Sequence, residues 1–214
     1  MKKIEIVYED KYMIIVNKPS GLLTISTEKE KNKTMYHEVL EYLKRKNQKL
    51  FIIHRLDKDT SGILLFAKNE KVKKYFQDNW QNVTRKYIAL TEGHIIDESK
   101  TIKSYLKETK NFISYSTNDT KGKLAITKYR KIKSNNLYNM LEIEILTGRK
   151  NQIRVHMKDI NSPIIGDKKY GSKLNPINRL GLCANMISFI HPIYKKEMIF
   201  KIELPTSFLK LFKV

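Results

Sequence analysis

Short apolar runs of strand length punctuate the first third of the chain. Polar residues, glycine or proline bound them, and they are too short for helices. The predicted strands are residues 4–7, 13–16, 51–53 and 63–67. Between them lie two longer stretches with apolar residues at helical spacing, each after a residue that caps helices well. The sequence therefore predicts one helix from Thr34 to about Lys46 and a second that Asn69 caps.

The rest of the chain is rich in strand patterns. Leu141, Ile143 and Ile145 alternate with glutamates, which indicates a strand over residues 138–146 with one buried face. Further predicted strands are residues 85–90, 124–132, 182–190 and 198–204, and predicted helices are residues 149–160 and 207–212. Because strands and helices mix without regular alternation, we predict an α+β fold that forms one domain over residues 1–214.

The chain carries a large positive charge. Its 214 residues include 42 Lys and Arg against 22 Asp and Glu, a formal net charge of +20 at pH 7. Such a surplus suggests an anionic partner, and nucleic acid fits because its phosphates turn dispersed positive charge into binding through counterion release. The alternative is a proteome that uses lysine as its default surface residue, and charge alone favours neither interpretation.

Cysteine content and hydropathy exclude several classes of protein. Cys183 is the only cysteine, so neither an intramolecular disulfide nor a cysteine-based zinc site is possible. The N-terminus lacks a signal-peptide pattern, because Glu5 interrupts it before an apolar region forms. The longest uncharged stretch near the C-terminus, residues 180–194, is too short to span a bilayer. We therefore expect a cytoplasmic protein without a membrane contact.

An acidic turn lies between two of the predicted strands. The segment HRLDKDTSGILLFAK, residues 54–68, resembles the start of a calcium loop from Asp57 onward. Such a loop needs a bidentate glutamate at its twelfth position, which is Lys68 here. A turn is the favoured interpretation for residues 59–62, with Gly62 suited to positive φ. A carboxylate that follows a buried strand can be a nucleophile if a cation keeps it ionised, although position alone favours a solvated or ion-paired aspartate.

The motifs of this chain resemble those of the RluA-type pseudouridine synthases. HRLDKDTSGILLFAK closely resembles the family signature HRLDxxTSGLLLfAk. Further segments resemble other family motifs in the same order, namely DKYMIIVNKPSGLLT, RKYIALTEG, ILTGRKNQIRVHM, SPIIGDKKYG and LCANMISFIHP. Asn151 and Cys183 stand where the family usually has histidine. These two departures bear on contacts with the substrate rather than on the reaction.

The resemblance implies an isomerase that converts uridine in RNA to pseudouridine without a metal or other cofactor. It implies that Asp57 is the essential carboxylate, acting either on the ribose C1′ or as a base on the sugar. Arg55 would fill the gap that the flipped nucleotide leaves, Tyr87 would contact the flipped base, and Arg154 would be the cation beside Asp57. Each has a simpler interpretation: a phosphate contact for Arg55, core packing for Tyr87 and an exposed surface side chain for Arg154.

The resemblance also implies an architecture and partners. It predicts one pseudouridine synthase domain with a mostly antiparallel mixed sheet, flanking helices and a central RNA-binding cleft. It predicts a short form, without the accessory RNA-binding domain that some relatives carry in front. The expected substrate is a stem-loop of large-subunit ribosomal RNA, transfer RNA or both, and the expected state is a monomer. The alternative is a non-catalytic RNA-binding or ribosome-assembly factor on the same fold, although the intact HRLD and QIR elements argue against it.

Overall fold

Eleven strands and four α-helices make up the part of the chain that the structure describes. The structure is a computed structural model, and it describes residues 4–28 and 30–212. The strands are β1 Ile6–Glu9, β2 Met13–Lys18, β3 Phe51–Ile52, β4 Ser61–Ala67, β5 Thr84–Glu92, β6 Ser99–Glu108, β7 Ser114–Thr117, β8 Lys123–Ser134, β9 Tyr138–Ile145, β10 Leu182–Ile190 and β11 Glu197–Lys201. The helices are α1 Met35–Lys44, α2 Glu70–Asp78, α3 Gln152–Asp159 and α4 Thr206–Lys210. No helix within these described ranges is long and apolar enough to cross a membrane.

The chain divides into two compact units. The first comprises the chain up to Val83 together with Ala184–Ile202. The second comprises Thr84–Cys183 and the segment that begins at Glu203. The α+β class is confirmed, whereas the assignment of residues 1–214 to a single domain stays a prediction.

The first unit is a sheet with amphipathic helices. Its strand order is β1-β2-β4-β10, with β3 beside β4 and β11 beside β10. The predicted helix caps are confirmed, because Thr34 Oγ1 accepts the His37 N–H at 3.1 Å and Asn69 Oδ1 accepts the Val72 N–H at 2.9 Å. Apolar side chains of β2, β4, α2 and β10 form one core, which includes Met13, Ile15, Ile63, Leu65, Val72, Phe76, Ile187 and Phe189.

The second unit is an antiparallel sheet with one helix on a face. Its strand order is β5-β9-β8-β6-β7, and each neighbouring pair is antiparallel. The helix α3 packs against β7 and β8. All predicted strands and helices are present with small shifts at their ends, but the sequence patterns did not predict β6 and β7.

Candidate active site

The loop between β3 and β4 carries two of the candidate residues. Asp57 is half-buried in this loop and Arg55 is exposed. The Thr60 N–H donates to the Asp57 carbonyl at 3.2 Å, which closes a turn at this position as predicted. The loop leads into a strand rather than a helix, and Lys68 at the twelfth position pairs with Glu9 at 2.6 Å. The loop therefore lacks both the flanking helix and the last ligand of a calcium loop.

A buried lysine fastens this loop to the turn that follows β2. Lys18 is 0% exposed, and its Nζ donates to the carbonyls of Pro19 at 3.0 Å, Leu22 at 2.7 Å and Lys58 at 2.9 Å. Three carbonyl oxygens thus replace the water that a buried ammonium loses. Because Lys58 directly follows Asp57, this cluster fixes the backbone beside the candidate carboxylate.

Side-chain hydroxyls hold the same loop at two further points. Thr24 Oγ1 donates to the Leu56 carbonyl at 2.7 Å and accepts the Leu56 N–H at 3.1 Å. Ser20 Oγ donates to the Asp59 carbonyl at 2.6 Å. The residues on either side of Asp57 are therefore bound to the NKPSGLLT segment by hydrogen bonds, which makes the loop a rigid support for its carboxylate.

The strand after the loop begins with a close backbone contact. Gly62 has φ +118°, which confirms the predicted positive φ, and a Cβ built there would lie 2.2 Å from the Ala184 carbonyl oxygen. Only glycine combines that conformation with that approach of β4 to β10. His54, at the start of the loop, accepts the Leu65 N–H at Nε2 over 3.0 Å, so its ring also orders this junction.

In the second unit, α3 presents Arg154 in a fixed orientation. Its Nε and Nη2 each donate to Asp167 over 2.7 Å, and its Nη1 donates to Asn151 Oδ1 over 2.8 Å. Its Cζ lies 4.8 Å from the centroid of the Tyr170 ring. The side chain is only 12% exposed and that of Asp167 only 1%. The interpretation of Arg154 as an exposed surface arginine is therefore wrong, while its partnership with Asp57 stays a prediction.

Sequence reasoning missed both groups that hold this arginine. Asp167 belongs to the SPIIGDKKYG motif, whose charged residues could be read as surface positions. Asn151 has φ 56°, a left-handed conformation that asparagine tolerates better than most residues. This conformation places the start of α3 at Gln152, so the prediction that the helix begins at Arg149 is wrong. The departure from the family's histidine at residue 151 thus lies in direct contact with the candidate arginine.

Tyr87 is buried on the sheet face that α3 covers. It pairs with Ile143, which in turn pairs with Tyr129, and directly paired residues of antiparallel strands point to the same face. Thr127, two residues before Tyr129, lies on that face as well. Its Oγ1 lies 2.8 Å from Nδ1 of His156 in α3. Tyr87 and the helix that carries Arg154 therefore share one face of the second unit's sheet.

A second buried guanidinium lies beside Tyr87. Arg85 is 6% exposed, and its Nη2 donates to the Ile145 carbonyl at 3.3 Å. Burial lowers the pKa of Arg85, and interaction with Tyr87 opposes this shift. The sequence motif RKYIAL contains Arg85, but nothing in its pattern distinguished this residue from Lys86, the half-buried residue that follows it.

The sheet-facing side of α3 is polar and hydrogen-bonded. His156 reaches Thr127 through Nδ1 and Ser104 Oγ through Nε2 at 3.0 Å. Gln152 Nε2 donates to the Ile126 carbonyl and to Thr127 Oγ1, both at 3.0 Å. Burial lowers the pKa of His156, with only partial opposition from the nearby acidic residue of the helix. The helix is therefore held on the sheet by groups that are uncharged at neutral pH.

Across residues 4–28 and 30–212, no cluster of three or more His, Cys, Asp or Glu side chains is placed to hold a metal ion.

Sequence comparison places this chain beside RNA-modifying enzymes. A family model described as RNA pseudouridylate synthase matches residues 12–159. A Mycoplasma pneumoniae protein named as an uncharacterized RNA pseudouridine synthase is 34% identical over 212 residues, which are 96% of this chain and 68% of that protein. A Rickettsia bellii protein named ribosomal large subunit pseudouridine synthase C is 38% identical over 211 residues, 95% of this chain and 69% of that protein.

Comparison of coordinates gives the same fold. The structure of human RNA pseudouridylate synthase domain containing 4 has a TM-score of 0.79, with 22% sequence identity, over 96% of this chain and 90% of that one. Human RNA pseudouridylate synthase domain containing 1 has a TM-score of 0.77, with 21% identity, over 95% of this chain and 84% of that one. At these identities the likeness concerns the arrangement of strands and helices.

Proposed function

This chain belongs to the RNA pseudouridylate synthase family, and from that membership we propose how its residues isomerise uridine in RNA. In the reaction the N-glycosidic bond breaks, the base rotates, and uracil C5 forms a new bond to ribose C1′, while C5 loses a proton and the released N1 gains one. The observation that carries the proposal is the support of Asp57: a half-buried carboxylate on a loop that Lys18 fastens at the next residue. Asp57 acts on the ribose of the flipped nucleotide.

Arg154 serves as the cation that keeps the catalytic carboxylate ionised. A carboxylate in a closed site stays charged only beside a cation. A guanidinium has five N–H donors in a rigid fork, so one arginine can serve two carboxylates. The bidentate contact with Asp167 and the contact with Asn151 support this role, because they fix the plane of the fork before RNA binds.

Tyr87 and Arg55 handle the flipped nucleotide. Tyr87 contacts the extruded uracil, and its place on the sheet face that α3 covers supports this role. Arg55 occupies the gap in the RNA stack, since a planar guanidinium stacks on bases. Its exposure in the Asp57 loop, two residues before the carboxylate, supports this role. Flipping costs a few kcal/mol, so a side chain that replaces the lost stacking favours the reactive complex.

The substrate is a stem-loop of large-subunit ribosomal RNA, transfer RNA or both. The name of the Rickettsia bellii relative supports the first of these. Unpaired loop bases suit an enzyme that needs an extruded uridine, because a splayed base costs less to flip than a stacked one. We propose that the protein acts on this RNA as a monomer in the cytoplasm.

A tritium-release assay tests the proposed activity. Transcripts of large-subunit ribosomal RNA and of transfer RNAs are labelled with tritium at uridine C5 and incubated with the protein. Because pseudouridine formation replaces the C5 proton, catalysis releases tritium to water in proportion to product. Release from either transcript supports the proposal. Binding of both transcripts without release would instead favour the non-catalytic RNA-binding factor.

A further inference from the structure

An exposed aromatic ring lies at the tip of the β6–β7 hairpin. Residues 109–113 connect the two strands, and Phe112 in this loop is 68% exposed. The other exposed aromatic side chains of this kind on the described chain are tyrosines, whose hydroxyl groups suit contact with water. A phenylalanine ring has no such group, so at this position a flat apolar face meets water.

The backbone at Phe112 has a conformation that is unfavourable for a bulky residue. The Phe112 N–H donates to the Thr109 carbonyl at 2.9 Å, and Phe112 then takes φ 57°. A hairpin loop with a turn followed by one left-handed residue usually has glycine at that position. A bulky residue there is an outlier, and such outliers concentrate at functional sites. Glycine or asparagine would make a more stable turn, so stability of the hairpin does not explain this phenylalanine.

Three lysines lie at or beside the hairpin tip. Lys150 Nζ lies 5.2 Å from the centroid of the Phe112 ring and pairs with Glu108 at 3.0 Å. Lys169 Nζ approaches the Phe112 carbonyl at 3.5 Å, and Lys110 is exposed in the same loop. Three cations against one carboxylate leave the tip positive. An apolar patch on a protein partner would have to desolvate these cations, whereas RNA offers a base to the ring and phosphates to the lysines.

The hairpin tip is linked to the arginine of the candidate active site. Ser114, two residues after Phe112, donates its N–H to Tyr170 Oη at 3.2 Å. The same Tyr170 ring lies 4.8 Å from Arg154 Cζ. One tyrosine therefore connects the exposed phenylalanine and the guanidinium within the second unit.

We propose that Phe112 is a base-stacking site for an unpaired nucleotide that flanks the target uridine, with Lys110, Lys150 and Lys169 on the adjoining phosphates. The assignment rests on the proposed function only for the identity of the RNA, since stacking itself needs no catalysis. Base–aromatic stacking tolerates any base, so this site adds affinity and position rather than sequence specificity.

Fluorescence of a Phe112→Trp variant tests the stacking directly. A short single-stranded oligouridylate serves as the probe, because it offers bases and phosphates without requiring turnover. We expect saturable quenching of the new tryptophan by oligouridylate and none by inorganic polyphosphate, which has the charges without the bases. The matched control is Leu137→Trp in the β8–β9 turn, an exposed position after the end of β8, whereas the start of β8 pairs with β6 near the hairpin tip. Its emission should not respond. The wild-type emission of Trp80 supplies the background.

Affinity measurements complete the test. Phe112→Ala should weaken oligouridylate binding by about tenfold, Phe112→Tyr should retain it, and Leu137→Ala should leave it unchanged. Equal binding by Phe112→Ala and wild type, or quenching of Phe112→Trp by self-association without RNA, would overturn the stacking site. A chain that releases no tritium yet shows the Phe112 effects would contradict the proposed function and leave this site standing. A chain that releases tritium but shows none of the Phe112 effects would contradict the stacking site and leave the proposed function standing.

Discussion

Charged side chains inside this protein lie where backbone oxygens or carboxylates replace water. Arg154 is held by two oxygens of Asp167 and one of Asn151, and Lys18 is held by three carbonyls. A charge that is fixed in this way keeps its direction when RNA arrives, so little reorganisation is needed during the reaction. The Asp167 carboxylate that holds Arg154 then matters as much as the arginine itself.

Replacement of Asp167 tests whether this cluster positions Arg154 for catalysis. Asp167→Asn keeps one acceptor but removes the charge and one branch of the fork. We expect single-turnover rates to fall about 10- to 100-fold, because small displacements of a catalytic group cost that much. RNA affinity should change little, since phosphate contacts supply most of it. The control is Asp159→Asn at the exposed end of α3. Wild-type turnover in Asp167→Asn would show that Arg154 needs no such support.

His156 gives the stability of the second unit a dependence on pH. Its folded-state pKa lies below the ordinary value of 6.5 because burial disfavours the charged ring. The unfolded chain therefore binds the proton more readily than the folded chain. The contribution of neutral His156 to stability is fully present above pH 6.5 and decreases as the pH falls below that value. We expect the melting temperature of the wild type to fall more between pH 7 and pH 5.5 than that of His156→Gln. His94→Gln, at an exposed position, should keep the wild-type dependence, and equal slopes for all three proteins would contradict this account.

Local sequence predicted part of the candidate site, and long-range contacts supplied the rest. The turn after Asp57 and the positive φ of Gly62 follow from residue types within a few positions. The contact of Lys18 with the Lys58 carbonyl joins residues far apart along the chain. No periodicity of hydrophobic residues encodes such a contact. From the sequence alone, the lysine of NKPSG is therefore interpreted as a surface residue, although the distant loop buries it.

Among the strands and helices, those with a clear buried face were predictable. The alternation in β9 and the run in β10 identify both strands. The hairpin of β6 and β7 was missed because most of its residues are polar, so no apolar pattern marks it, and its pairing with β8 is not visible in the sequence. Phe112 lies exposed at the tip of this hairpin. The undetected element is therefore the one that the stacking proposal concerns.

The approach of β4 to β10 makes Gly62 the most sensitive glycine of the first unit. Gly62→Ala adds a Cβ 2.2 Å from the Ala184 carbonyl oxygen as well as strain at φ +118°. We expect a loss of roughly 2–4 kcal/mol in the free energy of unfolding, measured with urea. Gly21→Ala is the matched control, because its φ is +84° but nothing lies within 4 Å of the added atom. Its loss should be about 1 kcal/mol. Equal losses would mean that the strands separate easily.

At the scale of the whole molecule, membership of the family explains the positive charge. The net charge of +20 alone did not show whether it binds an anionic partner or reflects a proteome that uses lysine as its default surface residue. For an enzyme whose substrate is RNA, the surplus favours binding through phosphates and suits the lysines at the hairpin tip. The family was predictable from the sequence because several motifs match family motifs in the same order along the chain. Neither charge nor motifs predicted that the chain divides into two compact units.

Salt dependence of RNA binding tests the role of this charge. If the protein contacts about six or more phosphates, affinity should fall by about 10³-fold or more between 50 and 200 mM salt. Filter binding with a ribosomal RNA stem-loop over that range measures the slope. The triple replacement of Lys110, Lys150 and Lys169 by glutamine should reduce the slope, while replacement of three lysines in α2 should reduce it less. A flat dependence would make the positive charge irrelevant to RNA.

The most direct test of the account is the comparison of Asp57→Asn with Asp59→Asn. Both aspartates lie in one loop, and the second is exposed and accepts the Ser20 hydroxyl only through its backbone. Tritium release and RNA affinity are measured on the same preparations. We predict that Asp57→Asn binds RNA like the wild type but releases no tritium, while Asp59→Asn retains both properties. Tritium release at the wild-type rate by Asp57→Asn would contradict the account.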